Sequence, residues 1–202
     1  VGSEMCIRDR IESGKDTLNI QPFRMAEQIA QVDSVIRQQA VLRDQQFTVQ
    51  VHDLLHENVE GDATRLRQVL LNILSNAVKF TPQNGYIEFK TYHDKEKLFV
   101  SIKNSGAGIE REEADKIFER FYRVDKARTR EMGGTGLGLS IAKEILDRNN
   151  GTIDIKSKLN EGTEVVIRIP TKTNNKFILK EEENLNEGEA RRQPNIQEQK
   201  DN

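Results

Sequence analysis

Apolar side chains recur at spacings of three and four in three long stretches of this chain, and at alternate positions in several short ones. Met25, Ile29, Val32, Ile36 and Ala40 follow Pro22-Phe23 and predict a helix. Leu66, Leu70, Ile73, Leu74 and Ala77 predict a second, from about Ala63 to Phe80, with Asp62 as its N-cap and Thr81-Pro82 as its stop. Ile141, Ile145 and Leu146 mark the buried side of a third, Leu137 to Asn149. Strands are expected at Phe47 to Val51, Tyr86 to Tyr92, Leu98 to Lys103, Thr152 to Lys156 and Val165 to Ile169. Asn84-Gly85 reads as a turn, and His93-Asp94-Lys95-Glu96 as the tip of a hairpin. Glu110 to Phe121 is expected to form a short helix, and Tyr122 to Gly134 a mobile loop. This mixed order favours an α+β fold, a two-layer α/β sandwich with a mixed sheet of about five strands packed on three helices.

The polar face of the second helix is unusual. At about 100° per residue, Asn72, Asn76 and Lys79 fall within an arc of roughly 60°, nearly opposite the apolar stripe. Asparagine is a poor helix former, because its short amide competes for backbone hydrogen bonds. Two of them on one stripe read either as a solvated face or as a site. A carboxamide oxygen suits Mg²⁺, and a neighbouring lysine suits phosphate.

Composition narrows the classes. The chain has 202 residues, 35% hydrophobic and 32% charged, with a formal net charge of −2. That is enough for one domain with a core plus unpacked segments, without the basic footprint of a nucleic-acid binder. The single cysteine, Cys6, excludes an internal disulfide and a multi-cysteine metal site, and fits a reducing compartment. No apolar run approaches the length of about 18 residues needed to span a membrane. Residues 1–10 lack a signal-peptide pattern and resemble translated cloning sequence, a non-native leader. From Thr171 onward the chain is polar and is expected to be a disordered tail, 171–202.

Two glycine clusters carry candidate chemistry. Asn104-Ser105-Gly106-Ala107-Gly108-Ile109 follows a strand directly. It reads as a tight turn, or as backbone brought close to a flat ligand with Asn104 bonding its edge. The second cluster, Gly133-Gly134-Thr135-Gly136-Leu137-Gly138-Leu139-Ser140, precedes a helix. Its glycines let backbone N–H groups converge on an anion, and the helix N-terminus adds a favourable dipole. It is neither a Walker loop nor a dinucleotide fingerprint. Before it lie Arg123, Lys126, Arg128 and Arg130, either a solvated loop or a lid whose cations cover a triphosphate. Phe118 and Phe121 are core residues, or they anchor that lid or dock a partner.

These elements together resemble the catalytic ATP-binding domain of sensor histidine kinases, within the gyrase, chaperone, histidine-kinase and mismatch-repair superfamily. The likeness covers about Ile11 to Pro170. The N box resembles Asn72 to Pro82, the first glycine box Asn104 to Ile109, the F box Phe118 to Phe121 and the second glycine box Gly133 to Ser140, in the family's order. The resemblance implies a Bergerat-type fold over 22–170, preceded at 11–21 by the end of a dimerisation helix and a linker. It implies Mg²⁺ on Asn76, with Asn72 supporting the phosphate–metal cluster. Lys79 would contact phosphate and Phe80 would pack on adenine. Gly106 and Gly108 would close the backbone on the base, with Thr163 behind it. Arg128 and Arg130 would lie over the phosphates, and Gly134, Thr135, Gly136, Leu137, Gly138 and Leu139 would form the phosphate end of the lid. The implied partners are ATP, an upstream dimerisation and phosphoacceptor module, and a response regulator. The implied setting is cytoplasmic, with a homodimeric parent that the inner membrane can anchor. This chain itself is expected to be monomeric and without membrane contact.

Two features set limits. The family's usual aspartate is Asn104 here, so the bond to the adenine amine lacks charge assistance, worth about 1 kcal/mol. Weaker ATP binding is expected. The three histidines, His52, His56 and His93, lie outside any Ser/His-Glu-x-x-x-Pro context and read as surface residues. The phosphoacceptor is therefore expected elsewhere. A non-catalytic nucleotide sensor is the alternative. A superfamily ATPase would need a glutamate at position 72 to activate water, and Asn72 argues against it.

Overall fold

The computed structural model describes residues 19–51, 58–94, 97–124 and 135–170, all within the compact unit Val1–Lys172. The leader, the linker up to residue 18, His52, His56, Lys126, Arg128, Arg130, Gly133, Gly134 and the tail lie outside the described residues.

Strand β1 (Gln21–Arg24) runs without a break into helix α1 (Met25–Val41). Strands β2 (Gln46–Val51) and β3 (Asn58–Gly61) follow, then α2 (Ala63–Phe80), β4 (Tyr86–His93) and β5 (Lys97–Asn104). The rest comprises α3 (Arg111–Ala114), a 3₁₀ turn (Lys116–Phe118), α4 (Gly138–Arg148), β6 (Thr152–Lys158) and β7 (Gly162–Pro170). Five strands form one sheet in the order β2-β4-β5-β7-β6. Only the β2–β4 pair is parallel, so the sheet is mixed. The fold is the expected two-layer α+β sandwich.

Alternation decides which sheet face is buried. Ile87, Phe89, Leu98, Val100, Ile102 and Ile167 point at the helices and are at most 2% exposed. On the other face Tyr92 stacks on Phe99 with ring centroids 4.7 Å apart, and the Arg168 guanidinium lies 6.0 Å from the Phe99 ring. Leu70 and Leu74 of α2 are fully buried in the same core. Truncating such a leucine to alanine costs about 2–5 kcal/mol, because the cavity adds to the lost transfer energy.

Helix α2 starts and ends where its sequence cues put it. The Asp62 carboxylate accepts from the Arg65 N–H at 3.0 Å, a side-chain N-cap. At the other end the buried Gln45 amide donates to the carbonyls of Val78 (2.9 Å) and Thr81 (2.6 Å). Carbonyls at a helix end that the helix itself leaves without a partner are thereby satisfied.

Two expectations change. The helix expected over Glu110 to Phe121 is only α3 and the 3₁₀ turn; α3 buries no side chain and the turn buries Ile117 alone. A charged stretch with helical propensity but no apolar stripe has little to hold a longer helix. Conversely, β1 and β3 pair antiparallel in a separate two-stranded sheet, with Gln21 opposite Gly61 and Arg24 opposite Asn58. Four-residue strands carry too little alternation to be read from sequence.

Candidate nucleotide-binding site

The polar stripe of α2 faces the start of α4. The Asn72 side-chain amide donates to the Gly138 carbonyl at 3.2 Å, linking the N box to the second glycine box. Asn76 is half-buried one turn further on, and its carboxamide has no hydrogen-bond partner among the described residues. An amide oxygen left over on a helix face, beside cations, fits a hard divalent ion that is itself bound to phosphate.

The cations converge from three segments. Burial first, then the positive charges of Arg123 and Arg43, hold the Lys79 ammonium below its ordinary pKa. Like charges brought together are unfavourable in the free protein and suit a polyanion. The Lys79 ammonium also lies 5.2 Å from the centre of the Phe80 ring, which is 49% exposed.

Phe121 and Gly136 close the base of the loop between them. The Phe121 N–H donates to the Gly136 carbonyl at 3.1 Å, and both residues have positive φ, 65° and 72°. A Cβ on Gly136 would sit 3.1 Å from the Phe121 backbone. Glycine therefore answers both a left-handed conformation and a close approach. The Tyr122 hydroxyl adds a bond to the Glu113 carboxylate.

Asn104 ends β5 and is 6% exposed. Its surroundings orient the amide. Oδ1 accepts from the Gly106 N–H and Nδ2 donates to the Thr163 carbonyl, each at 3.3 Å. The opposite orientation sets oxygen against oxygen and donor against donor. Oδ1 also lies 3.2 Å from the Thr81 hydroxyl, which donates to Ala77 O at 2.6 Å. Asn104 thus staples the first glycine box to β7, using a proton that an ionised carboxylate lacks.

The first glycine box is braced from behind by the β6–β7 turn. Asn160 N–H donates to Ala107 O at 2.6 Å, and the Ser157 hydroxyl bridges the Ile109 N–H (2.8 Å), Gly162 O (3.0 Å) and the Thr163 hydroxyl (2.7 Å). Gly108, at φ +70°, would place a Cβ 2.0 Å from Lys158 O. Its lack of a side chain serves this packing, apart from any ligand.

Asn72, Asn76, Lys79, Phe80, Asn104, Gly106, Gly108, Thr135, Gly136, Leu137, Gly138, Leu139 and Thr163 therefore all have described positions. Sequence reasoning missed Arg43, Gln45 and Ser157. Arg43 and Gln45 lie in the turn after α1, more than thirty residues before Lys79, with no motif to mark them. Thr81 was legible only as a helix stop, although its hydroxyl bonds back to Ala77 O.

The profile of the family described as histidine kinase-, DNA gyrase B- and HSP90-like ATPase matches residues 61–173. The chain belongs to that family, and ATP is its ligand. Within it the chain is a histidine-kinase catalytic domain. The catalytic domain of the histidine kinase ThkA superposes with a TM-score of 0.67 at 31% identity, covering 76% of this chain and 96% of that one. A ThkA structure in complex with the response regulator TrrA gives a TM-score of 0.67 at 29% identity, covering 84% and 47%. The sensor histidine kinase WalK of Bacillus subtilis (strain 168) is 46% identical over 116 residues, 56% of this chain and 19% of WalK. The chain thus spans about a fifth of the length of such curated relatives. Among the described residues no helix is long and apolar enough to cross a membrane.

Proposed function

We propose that this domain holds ATP with Mg²⁺ and presents the γ-phosphoryl group to a histidine of a separate phosphoacceptor module, for onward transfer to a response regulator. Asn76 supplies the metal's protein ligand. Lys79, with Arg43 and Arg123 nearby, offsets the phosphate charge. The backbone N–H groups of Thr135 to Leu139 and the N-terminus of α4 meet the phosphates; Gly134, Arg128 and Arg130 are assigned to the same group from the sequence alone and lie outside the described residues. Phe80, Gly106, Gly108 and Thr163 surround the base, with Asn104 at its edge. The bound metal neutralises developing charge; the residues otherwise position and exclude water.

The observation that carries transfer over hydrolysis is Asn72. Its amide donates to Gly138 O, and a carboxamide cannot take a proton from water as a general base must. The stripe Asn72, Asn76 and Lys79 holds no carboxylate.

The test supplies Mg·ATP and a separately purified phosphoacceptor module to this chain. Phosphohistidine on the module is expected, with little phosphate release in its absence. Nucleotide binding without transfer favours the non-catalytic sensor. Steady phosphate release without the module favours the hydrolase. Light scattering is expected to find this chain monomeric, its parent dimerising through helices outside the domain.

A further inference from the structure

Asp62 does more than cap a helix. One carboxylate oxygen accepts from the Arg65 N–H at 3.0 Å, and the other accepts from the Asn19 N–H at 3.2 Å, 43 residues earlier. A cap needs only one acceptor, which serine, threonine or asparagine supplies as well. Here each of the two N–H groups has its own carboxylate oxygen, whereas a hydroxyl or carboxamide would have to offer one oxygen to both.

Three segments meet at this residue. Asn19 lies two residues before β1. β1 is held by a short ladder to β3, and that ladder ends at Gly61, next to Asp62. Neither strand belongs to the five-stranded sheet. From Asp62 the helix leads to Asn72, Asn76 and Lys79, and Asn72 passes the connection to the first residue of α4 through Gly138 O. A continuous set of hydrogen bonds and one rigid helix therefore joins the chain before β1 to both phosphate-binding elements.

We infer that Asp62 is a positioning residue through which the segment preceding β1 and the nucleotide site bias one another. The inference rests on the nucleotide reading above. When Asn19 is held, the carboxylate is fixed over the first turn of α2 and the helix keeps the placement that suits a nucleotide. When that segment is pulled away, the cap loses its anchor. Coupling of this kind is reciprocal, so nucleotide must in turn tighten the segment.

Amide hydrogen exchange on the full chain reads this directly, with and without saturating adenylyl imidodiphosphate and Mg²⁺. Exchange at 19–24 is expected to slow about five-fold or more with nucleotide, the lower end of ordinary coupling, alongside slowing in 63–80 and 135–148. Asp62→Asn keeps one capping oxygen and sets an NH₂ group against the Asn19 N–H. It is expected to abolish the slowing at 19–24 while slowing at 135–148 persists. Asp62→Ser repeats the separation should the asparagine variant fold poorly. A residue that only stabilised the fold would raise exchange in both states and leave their ratio unchanged. Slowing at 63–80 without slowing at 19–24 in the unaltered chain overturns the coupling alone. A nucleotide effect at 19–24 that survives both variants removes Asp62 from it. No slowing anywhere removes the nucleotide reading, and the coupling with it.

Discussion

The Asn72 amide reaches the Gly138 carbonyl at 3.2 Å across 66 residues of sequence. That bond ties the polar stripe of α2, the proposed metal-binding helix, to the first residue of α4 in the proposed phosphate-binding turn. Removing it with Asn72→Ala is expected to lower stability by about 1 kcal/mol at most, since the site is half-open and water can replace the amide. Affinity for Mg·ATP is expected to fall further than that, because the glycine turn loses its register. Thermal unfolding and calorimetry on the same variant separate the two effects; unchanged affinity would take Asn72 out of the site.

Asn76 is expected to show the opposite division. Its carboxamide has no partner among the described residues, and alanine is the better helix former by roughly 0.5 kcal/mol. Asn76→Ala should therefore melt at the same temperature or slightly higher. The portion of nucleotide affinity that depends on Mg²⁺ should disappear. Titrations with Mg²⁺ and with a chelator measure that portion, and its persistence would reassign the metal ligand.

Asn104→Asp sets two hydrogen bonds against each other. The carboxylate keeps the Gly106 N–H but cannot donate to Thr163 O, which then faces an ionised oxygen at about the present 3.3 Å. Stability at neutral pH is expected to fall by about 1–3 kcal/mol. The loss should shrink in acid, where a protonated carboxyl regains a donor. ATP affinity should rise, by about 1 kcal/mol if the gain is charge assistance alone. Calorimetry across pH, paired with melting curves, checks both signs; equal ATP affinity for the two proteins would end the base-reading assignment for this position.

Lys79 has a pH signature with a definite sign. Its folded pKa is lowered by burial, then by Arg123 and Arg43. In the free protein this group therefore lowers stability at pH values below its folded pKa. The penalty is relieved as pH rises from that value to the unfolded one. A bound polyphosphate reverses the preference and stabilises the ammonium. Nucleotide binding should thus take up protons in the alkaline range, and affinity should weaken as pH rises through the lowered pKa. Lys79→Met should bind poorly and lose that alkaline dependence. Proton release on binding, measured in buffers of different ionisation enthalpy, would contradict this.

The sequence alone was enough for α2. Its period, the Asp62 cap and the Thr81-Pro82 stop are interactions within a few residues, and the helix runs from Ala63 to Phe80 as expected. The five main strands and the order of the boxes were legible for the same reason. Over Glu110 to Phe121 helical propensity was visible but the burial needed to use it was missing. β1 and β3 were invisible because each depends on a partner more than thirty residues away. Tertiary structure alone decided what the site's polar groups do. It gave Asn72 a carbonyl on α4, showed Asn104 as a donor to Thr163, and brought Arg43 and Arg123 into the field of Lys79. Periodicity and caps are short-range and are written locally. Hydrogen-bond partners and charge fields across the fold exist only once the layers are packed.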